Sequence, residues 1–162
     1  MRLVASANAA ALEGRLVYVE AEHSFRFDVE SELAALERAG SDGVTSLSIG
    51  TLQVEVGVAT GTVLFAWGLH PRATWRAEPI GEPLIRSAAV GVEDATLRRG
   101  VSVRLAPVGS WTTTFDCETG WVRLAPTGPH DAADQIFLVA TGTAVGLRDN
   151  QLASVWLQPM FE

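Results

Sequence analysis

Apolar and polar residues alternate along several short stretches of the chain, and this two-residue period is its strongest structural signal. In "TLQVEVGV", residues 51–58, Leu and Val occupy every second position while Gln53 and Glu55 stand between them. Residues 25–29 and 101–105 repeat the pattern. Because successive side chains of a β-strand point to opposite faces, each stretch predicts a half-buried strand of an antiparallel sheet.

Turn signals separate these stretches. A Thr-Gly pair follows an apolar run at three places, Ala59-Thr60-Gly61, Glu118-Thr119-Gly120 and Ala140-Thr141-Gly142, and Asp149-Asn150 separates two further runs. A type I turn closed by a left-handed glycine joins antiparallel strands in this way, and aspartate and asparagine also tolerate positive φ. The spacing predicts successive hairpins, a meander of about seven to ten strands.

One segment is helical in character. Residues 29–40, "VESELAALERAG", contain good helix formers, with Ser31 or Asp28 as the N-cap and Gly40 at the end. Residues 76–99 contain prolines and glycines and predict an irregular connection with at most one short strand.

The expected fold class is α+β but mostly β, with the antiparallel meander forming a curved sheet or partly closed barrel and one short N-terminal helix. No stretch is rich enough in Ser, Pro or Gly to act as a linker, so we expect residues 1–162 to form a single domain.

The chain has no lysine, since all twelve of its Lys and Arg residues are arginine. This excludes a P-loop lysine, a Schiff base and a lysine general base. Tyr18 is the only tyrosine and Cys117 the only cysteine, so tyrosine-lysine chemistry and an internal disulfide are also excluded. No GxSxG motif occurs, and no GxGxxG follows a strand. The sequence therefore predicts no cofactor and disfavours an enzyme.

The formal net charge is −7, and residues 1–60 hold nine acidic residues against four arginines. An acidic surface repels nucleic acid and favours a basic partner. No segment approaches the roughly 18 apolar residues of a membrane span, and the N-terminus is too polar for a signal peptide. We expect a soluble, cytoplasmic protein with no nucleic-acid or membrane partner.

The segment "VLFAWGLHPRATW", residues 63–75, contains the best-placed titratable group. A histidine with a pKa near neutrality serves as an acid or base, and Arg72 suits an anion. The other interpretation puts His70 in a solvated loop and the tryptophans in the core. The candidate ligand- or partner-binding residues are Trp67, His70, Arg72, Trp75 and Trp111.

Two other groups carry weaker signals. Asp116 and Glu118 flank Cys117, and neighbouring carboxylates raise a thiol pKa, which opposes a nucleophilic role. His130, Asp131 and Asp134 have a spacing that supplies two or three metal ligands, fewer than known metal loops, so we predict a polar surface loop and no metal site. Whether His70, Cys117 and His130 converge depends on the fold.

We therefore expect a non-enzymatic intracellular binding protein, of the immunity or antitoxin type, that neutralises a basic protein partner. Charge complementarity would speed association with that partner. The acidic partner surface would comprise Glu20, Glu22, Glu30, Glu32 and Glu37.

Two alternatives stay open. One is a curved-sheet or barrel protein that binds a small ligand, or a hydrolase or isomerase, with its pocket around His70 and Arg72; these residues would then face a cavity. The other is a homo-oligomer that uses exposed tryptophans.

Overall fold

The computed structural model describes residues 1–7, 9–94, 96–128 and 134–162, and most of these lie in β-strands. One α-helix, α1 (Glu32–Ala39), and two short 3-10 helices, Glu20–Glu22 and Arg72–Thr74, accompany them. The strands are β1 (Arg2–Ala7), β2 (Gly14–Val19), β3 (Ser24–Val29), β4 (Val44–Ile49), β5 (Leu52–Gly57), β6 (Val63–Leu69), β7 (Arg76–Ala77), β8 (Ile85–Glu93), β9 (Val103–Ala106), β10 (Trp111–Phe115), β11 (Val122–Pro126), β12 (Gln135–Ala140), β13 (Thr143–Arg148), β14 (Gln151–Leu157) and β15 (Met160–Phe161).

The strands form two sheets. The first has eight strands in the order β1-β8-β12-β13-β14-β11-β10-β7, and the second has seven in the order β15-β2-β3-β6-β5-β4-β9. The two sheets share one large buried cluster, to which the second contributes Leu47 and Val54 and the first contributes Val90, Val145 and Val155. The sheets therefore pack on each other across a common core.

The expected antiparallel meander is wrong in three respects. The described residues form fifteen strands rather than seven to ten. Both sheets are mixed, because β7 pairs with β10, β8 with β12, β4 with β9 and β2 with β15 in parallel. In the part of the chain that the structure describes, the strands form two separate sheets rather than one curved sheet or partly closed barrel. Parallel pairing joins segments that are far apart in the chain, which local turn signals do not reveal.

The strongest local predictions are confirmed. In β5, Leu52, Val54 and Val56 are almost completely buried, and the strand pairs antiparallel with β4 and β6. Asp149 and Asn150 have positive φ and link β13 to β14. The glycines of the three Thr-Gly turns, Gly61, Gly120 and Gly142, also have positive φ.

Helix α1 begins and ends where the sequence predicts. The Ser31 hydroxyl accepts a hydrogen bond from the amide of Ala34 at 3.2 Å, and Gly40 follows the last turn with a φ of 81°. The helix lies against the second sheet through its alanines, of which Ala39 is buried. Leu33 and Leu36 point away from the sheet.

Residues 76–99 are more regular than predicted. Strand β8 has nine residues and lies between β1 and β12, with Ala88, Val90 and Val92 buried. The prolines at 79 and 83 precede the strand, so they do not interrupt its hydrogen bonding. Within the described residues, no helix has both the length and the apolar character needed to cross a membrane.

Candidate functional site

A cleft of about 510 Å³ opens between the two sheets, where β6 ends and β10 begins. Its walls include the β4–β5 turn at 49–51, the end of β6 with the residues that follow it at 69–71, the loop at 107–109 and the start of β10 at 111–113. The volume lies in the range of small-molecule sites. Of the five binding residues predicted from the sequence, His70 and Trp111 line this cleft.

His70 is partly buried, and its ring contacts the first sheet. Its Nε2 atom lies 2.7 Å from Oγ1 of the buried Thr113. Burial lowers the pKa of His70 from 6.5 to about 4, so the imidazole is neutral at pH 7. A neutral imidazole has one donor and one acceptor nitrogen, so it can present either role to a ligand.

The backbone at His70 is held by Tyr18, a residue that the sequence analysis did not select. The Tyr18 hydroxyl donates to the carbonyl oxygen of His70 at 3.0 Å and accepts from the amide of Arg72 at 2.9 Å. Tyr18 is fully buried in β2. The available signal was a lone tyrosine inside an apolar run, since a buried phenol needs a hydrogen-bond partner.

Arg72 lies outside the cleft lining. Its guanidinium pairs with the carboxylate of Glu20 and lies 5.2 Å and 5.0 Å from the ring centres of Phe115 and Phe161. The charge is already matched by a carboxylate and two aromatic faces. One alternative from the sequence placed His70 and Arg72 around one pocket. In the structure His70 lines the cleft, whereas Arg72 lies outside its lining.

The tryptophans separate into different environments. Trp75 is partly buried and packs against the core, with its ring centre 5.7 Å from that of Phe25 and 6.0 Å from that of His70. Trp67 is 40% exposed and its Nε1 donates to a carboxylate oxygen of Glu55 at 2.7 Å. It lines a separate shallow depression on the second sheet. His70 and Trp75 are thus neighbours, whereas Trp67 is apart from them.

No protein-family model matches this chain, and no curated protein matches it. The chemistry of the cleft therefore follows from its own geometry. Across the described part of the chain, the His70 ring has no carboxylate hydrogen-bond partner, and general bases of hydrolases are usually oriented by one.

Of the other groups that the sequence pointed to, the structure describes Cys117 and Asp134. Cys117 is exposed and free, and it is absent from the cleft lining. Asp134 accepts hydrogen bonds from Arg148 and Ser154, while His130 and Asp131 lie outside the described residues. Within the ranges that the structure describes, no three His, Cys, Asp or Glu side chains come together in a group suited to a metal.

The five glutamates predicted to form an acidic partner surface lie in two patches at opposite ends of β3. Glu20 and Glu22 occupy the 3-10 helix before the strand, and Glu20 is paired with Arg72. Glu30, Glu32 and Glu37 follow the strand, roughly 20 Å away at the usual rise per residue. The predicted acidic surface is therefore divided, and its second patch surrounds α1.

The outer face of α1 combines charge with apolar area. Successive helical residues are about 100° apart, which places Glu32, Leu36, Leu33 and Glu37 in that order across an arc of about 140°. Leu33 and Leu36 are each 66% exposed. We call these four residues the leucine face: two exposed leucines with a glutamate on either side.

Proposed function

We propose that this protein is a non-enzymatic binding protein that docks a basic protein partner on the leucine face of α1. The observation that carries the proposal is the exposure of Leu33 and Leu36 between Glu32 and Glu37. The helix packs on the sheet through alanines, so the exposed leucines add little to the stability of the fold. A partner that covered them would gain that apolar burial.

The charges of the leucine face indicate the chemistry of the partner. A second copy of the chain would bring the same glutamates face to face, and like charges in an interface oppose association. A partner with an apolar pocket rimmed by Arg or Lys would instead be attracted, since residues 1–60 carry a net excess of five acidic groups. Leucines at i and i+3 on a helix are the usual anchors for such a groove.

A neutralising role of the immunity or antitoxin type is consistent with this surface. An acidic helix that inserts into a basic cleft would cover that cleft and exclude its substrate. Stoichiometric binding should therefore inhibit the activity of the partner. Measuring that activity tests neutralisation, which a pull-down alone does not.

The test starts with a pull-down of the full chain from its native host and continues with purified partner. We expect Leu33→Ser combined with Leu36→Ser to speed dissociation, weakening affinity at least about tenfold for the loss of two buried anchors. We expect Glu32→Gln with Glu37→Gln to slow association and flatten its dependence on salt. Leu84→Ser, which removes a leucine that is 85% exposed elsewhere, is the matched control and should bind normally.

Two results would contradict the proposal. One is a stoichiometric partner whose affinity is unchanged by both pairs of substitutions. The other is an association rate that does not respond to salt. The mass of the protein in solution is a further measurement. A stable dimer that dissociates when Leu33 and Leu36 are replaced would show that a second copy of the chain, and not a basic partner, covers the leucine face.

A second candidate function is binding of a small ligand in the cleft, favoured by the position of His70. The cleft has apolar side chains at its mouth, including Leu69 and Val108, which are both exposed, and a neutral imidazole inside. Trp111→Ala and Val108→Ser should then abolish binding of an apolar dye such as anilinonaphthalene sulfonate. If the dye instead followed the leucine substitutions, the cleft would not be its site.

A further inference from the structure

We propose that an oxyanion of the phosphate class binds in a groove on the first sheet, where Arg76, Thr114 and Arg123 lie side by side. The groove has a volume of about 410 Å³ and is formed by β7, β10, β11 and the segment that follows β7. It lies in the opposite sheet from α1, so this proposal does not depend on the leucine face.

The strand register brings the three side chains together. Thr114 of β10 is paired with Arg76 of β7 on one side and with Arg123 of β11 on the other. Directly opposed residues of adjacent strands project from the same face, and all three line the groove. With strands about 4.8 Å apart, the two arginine backbones are roughly 10 Å apart, a separation that two guanidinium groups can span from either side of one anion.

Neither arginine has a carboxylate partner among the residues that the structure describes. Among the described residues, five other arginines form ion pairs, whereas Arg76 and Arg123 form none. The Nε atom of Arg123 is buried, and no hydrogen-bond acceptor for it lies among the described residues. A buried guanidinium donor without an acceptor is unfavourable, and an anion in the groove that pairs with the same guanidinium would offset that cost.

The surroundings hold these donors in position. The Arg123 guanidinium lies 5.4 Å from the ring centre of Trp156, which restricts its orientation. Thr112 and Thr127 also line the groove, and their hydroxyl oxygens lie 2.9 Å apart. The Thr127 hydroxyl also donates to the carbonyl oxygen of Ser110, so the guanidinium groups are the main donors of the groove. Two guanidinium forks match the several oxygens of a phosphate better than the two of a carboxylate.

Glu78 is the one acidic residue in the described lining of the groove, so it provides a test of opposite sign. Its carboxylate forms no ion pair with either arginine. A negative charge at the rim opposes a bound anion. Removing it should therefore strengthen binding, an effect opposite in sign to that of removing either arginine.

The test is a calorimetric titration of the full chain with inorganic phosphate at pH 7 and constant ionic strength. We expect saturable binding at one site, weakened about tenfold or more by Arg76→Gln and by Arg123→Gln, the usual effect of losing one charged hydrogen-bond donor. We expect Glu78→Gln to tighten it. Arg98→Gln removes the same charge from an exposed position outside the groove, so it is the matched control and should leave binding unchanged.

Three results would overturn the proposal: no saturable binding of phosphate, equal weakening by Arg98→Gln, or acetate binding as tightly as phosphate. The last would make carboxylate the ligand class. If Arg123→Gln does not fold, Arg123→Lys keeps the charge but loses the planar fork, and it should still weaken binding. The exposed Arg76 gives an independent test that does not disturb the core.

Discussion

The hydroxyl of Tyr18 donates a hydrogen bond to the carbonyl oxygen of His70 at 3.0 Å, which fixes the backbone where β6 leaves the second sheet and enters the cleft wall. The same oxygen accepts from the amide of Arg72. The amide of His70 donates to the carbonyl oxygen of His23, which directly precedes β3. Tyr18 supplies the next two hydrogen bonds of the same segment, one to a backbone acceptor and one from a backbone donor.

Tyr18→Phe should therefore destabilise the protein by about 1–3 kcal/mol, since it leaves two backbone groups without a partner while keeping the aromatic ring. Urea unfolding measures this as a lower midpoint at an unchanged slope. Ser24→Ala removes a long, exposed hydrogen bond and should change the stability by less than about 0.5 kcal/mol. Equal midpoints for Tyr18→Phe and the wild type would show that the phenol does not support this segment.

The pKa of His70 predicts a dependence of stability on pH. Because the folded-state pKa is about 4 and the ordinary value is 6.5, the unfolded chain binds the proton more tightly. The stability contributed by a neutral His70 is present above pH 6.5 and is lost as the pH falls toward 4. The loss amounts to about 3 kcal/mol across this range.

His70→Gln should accordingly lose less stability than the wild type between pH 7 and pH 4, whatever its stability at pH 7. Thr113→Val removes the hydroxyl but leaves the imidazole buried, so it should keep most of the wild-type slope. Burial, rather than the contact with Thr113, lowers the pKa. Parallel curves for the wild type and His70→Gln would rule out this interpretation.

Asp116 holds the segment before β8 against the turn between β10 and β11. One carboxylate oxygen accepts from the amides of Ile80 and Gly81, and the other accepts from those of Glu118 and Thr119. These backbone donors, with Ile80 first, lower the pKa of Asp116. The stability that they provide is present above the ordinary pKa of 3.8 and is lost as the pH falls through the lower folded value.

Asp116→Asn should lower the urea midpoint at pH 7, because an amide nitrogen replaces one of the two accepting oxygens. The difference from the wild type should shrink below about pH 4, where the unfolded wild-type chain takes up a proton at this carboxyl while the folded protein still resists it. Glu118→Gln neutralises an exposed neighbour and should unfold like the wild type at both pH values. A difference that stays constant with pH would separate the effect from the charge of Asp116.

Strands and turns with a clear local period were predictable from the sequence, and long-range pairings were not. The alternation in β5 and the Asp149-Asn150 turn depend on residues that are adjacent in the chain, so the pattern predicts them. Strand β15 pairs with β2 across almost the whole chain, and nothing in two short segments encodes that contact. The mixed sheets were therefore missed.

The candidate site shows the same division. His70 was identifiable as a histidine at a strand end, but its cleft is built from loops that only the fold brings together. Arg72 was attractive as an anion ligand because its pairing with Glu20 is invisible in the sequence. Arg76 and Arg123 are 47 positions apart and become neighbours through the register of β10 alone.

The close packing of α1 on the second sheet gives the last prediction. A Cβ atom added at Gly57 would lie 2.4 Å from the carbonyl oxygen of Ala39 and 2.7 Å from its Cα atom, distances at which the helix must move. Gly57→Ala should therefore destabilise the protein by about 1–3 kcal/mol, as overpacking usually does, and raise hydrogen exchange in α1.

Gly91→Ala places its methyl 3.9 Å from the nearest atom, a carbonyl oxygen of Val4, so it is the matched control and should be nearly neutral. Because α1 presents the leucine face, Gly57→Ala should also weaken docking of the partner, whereas Gly91→Ala should not. Wild-type stability and exchange in Gly57→Ala would mean that the helix is not held at this distance.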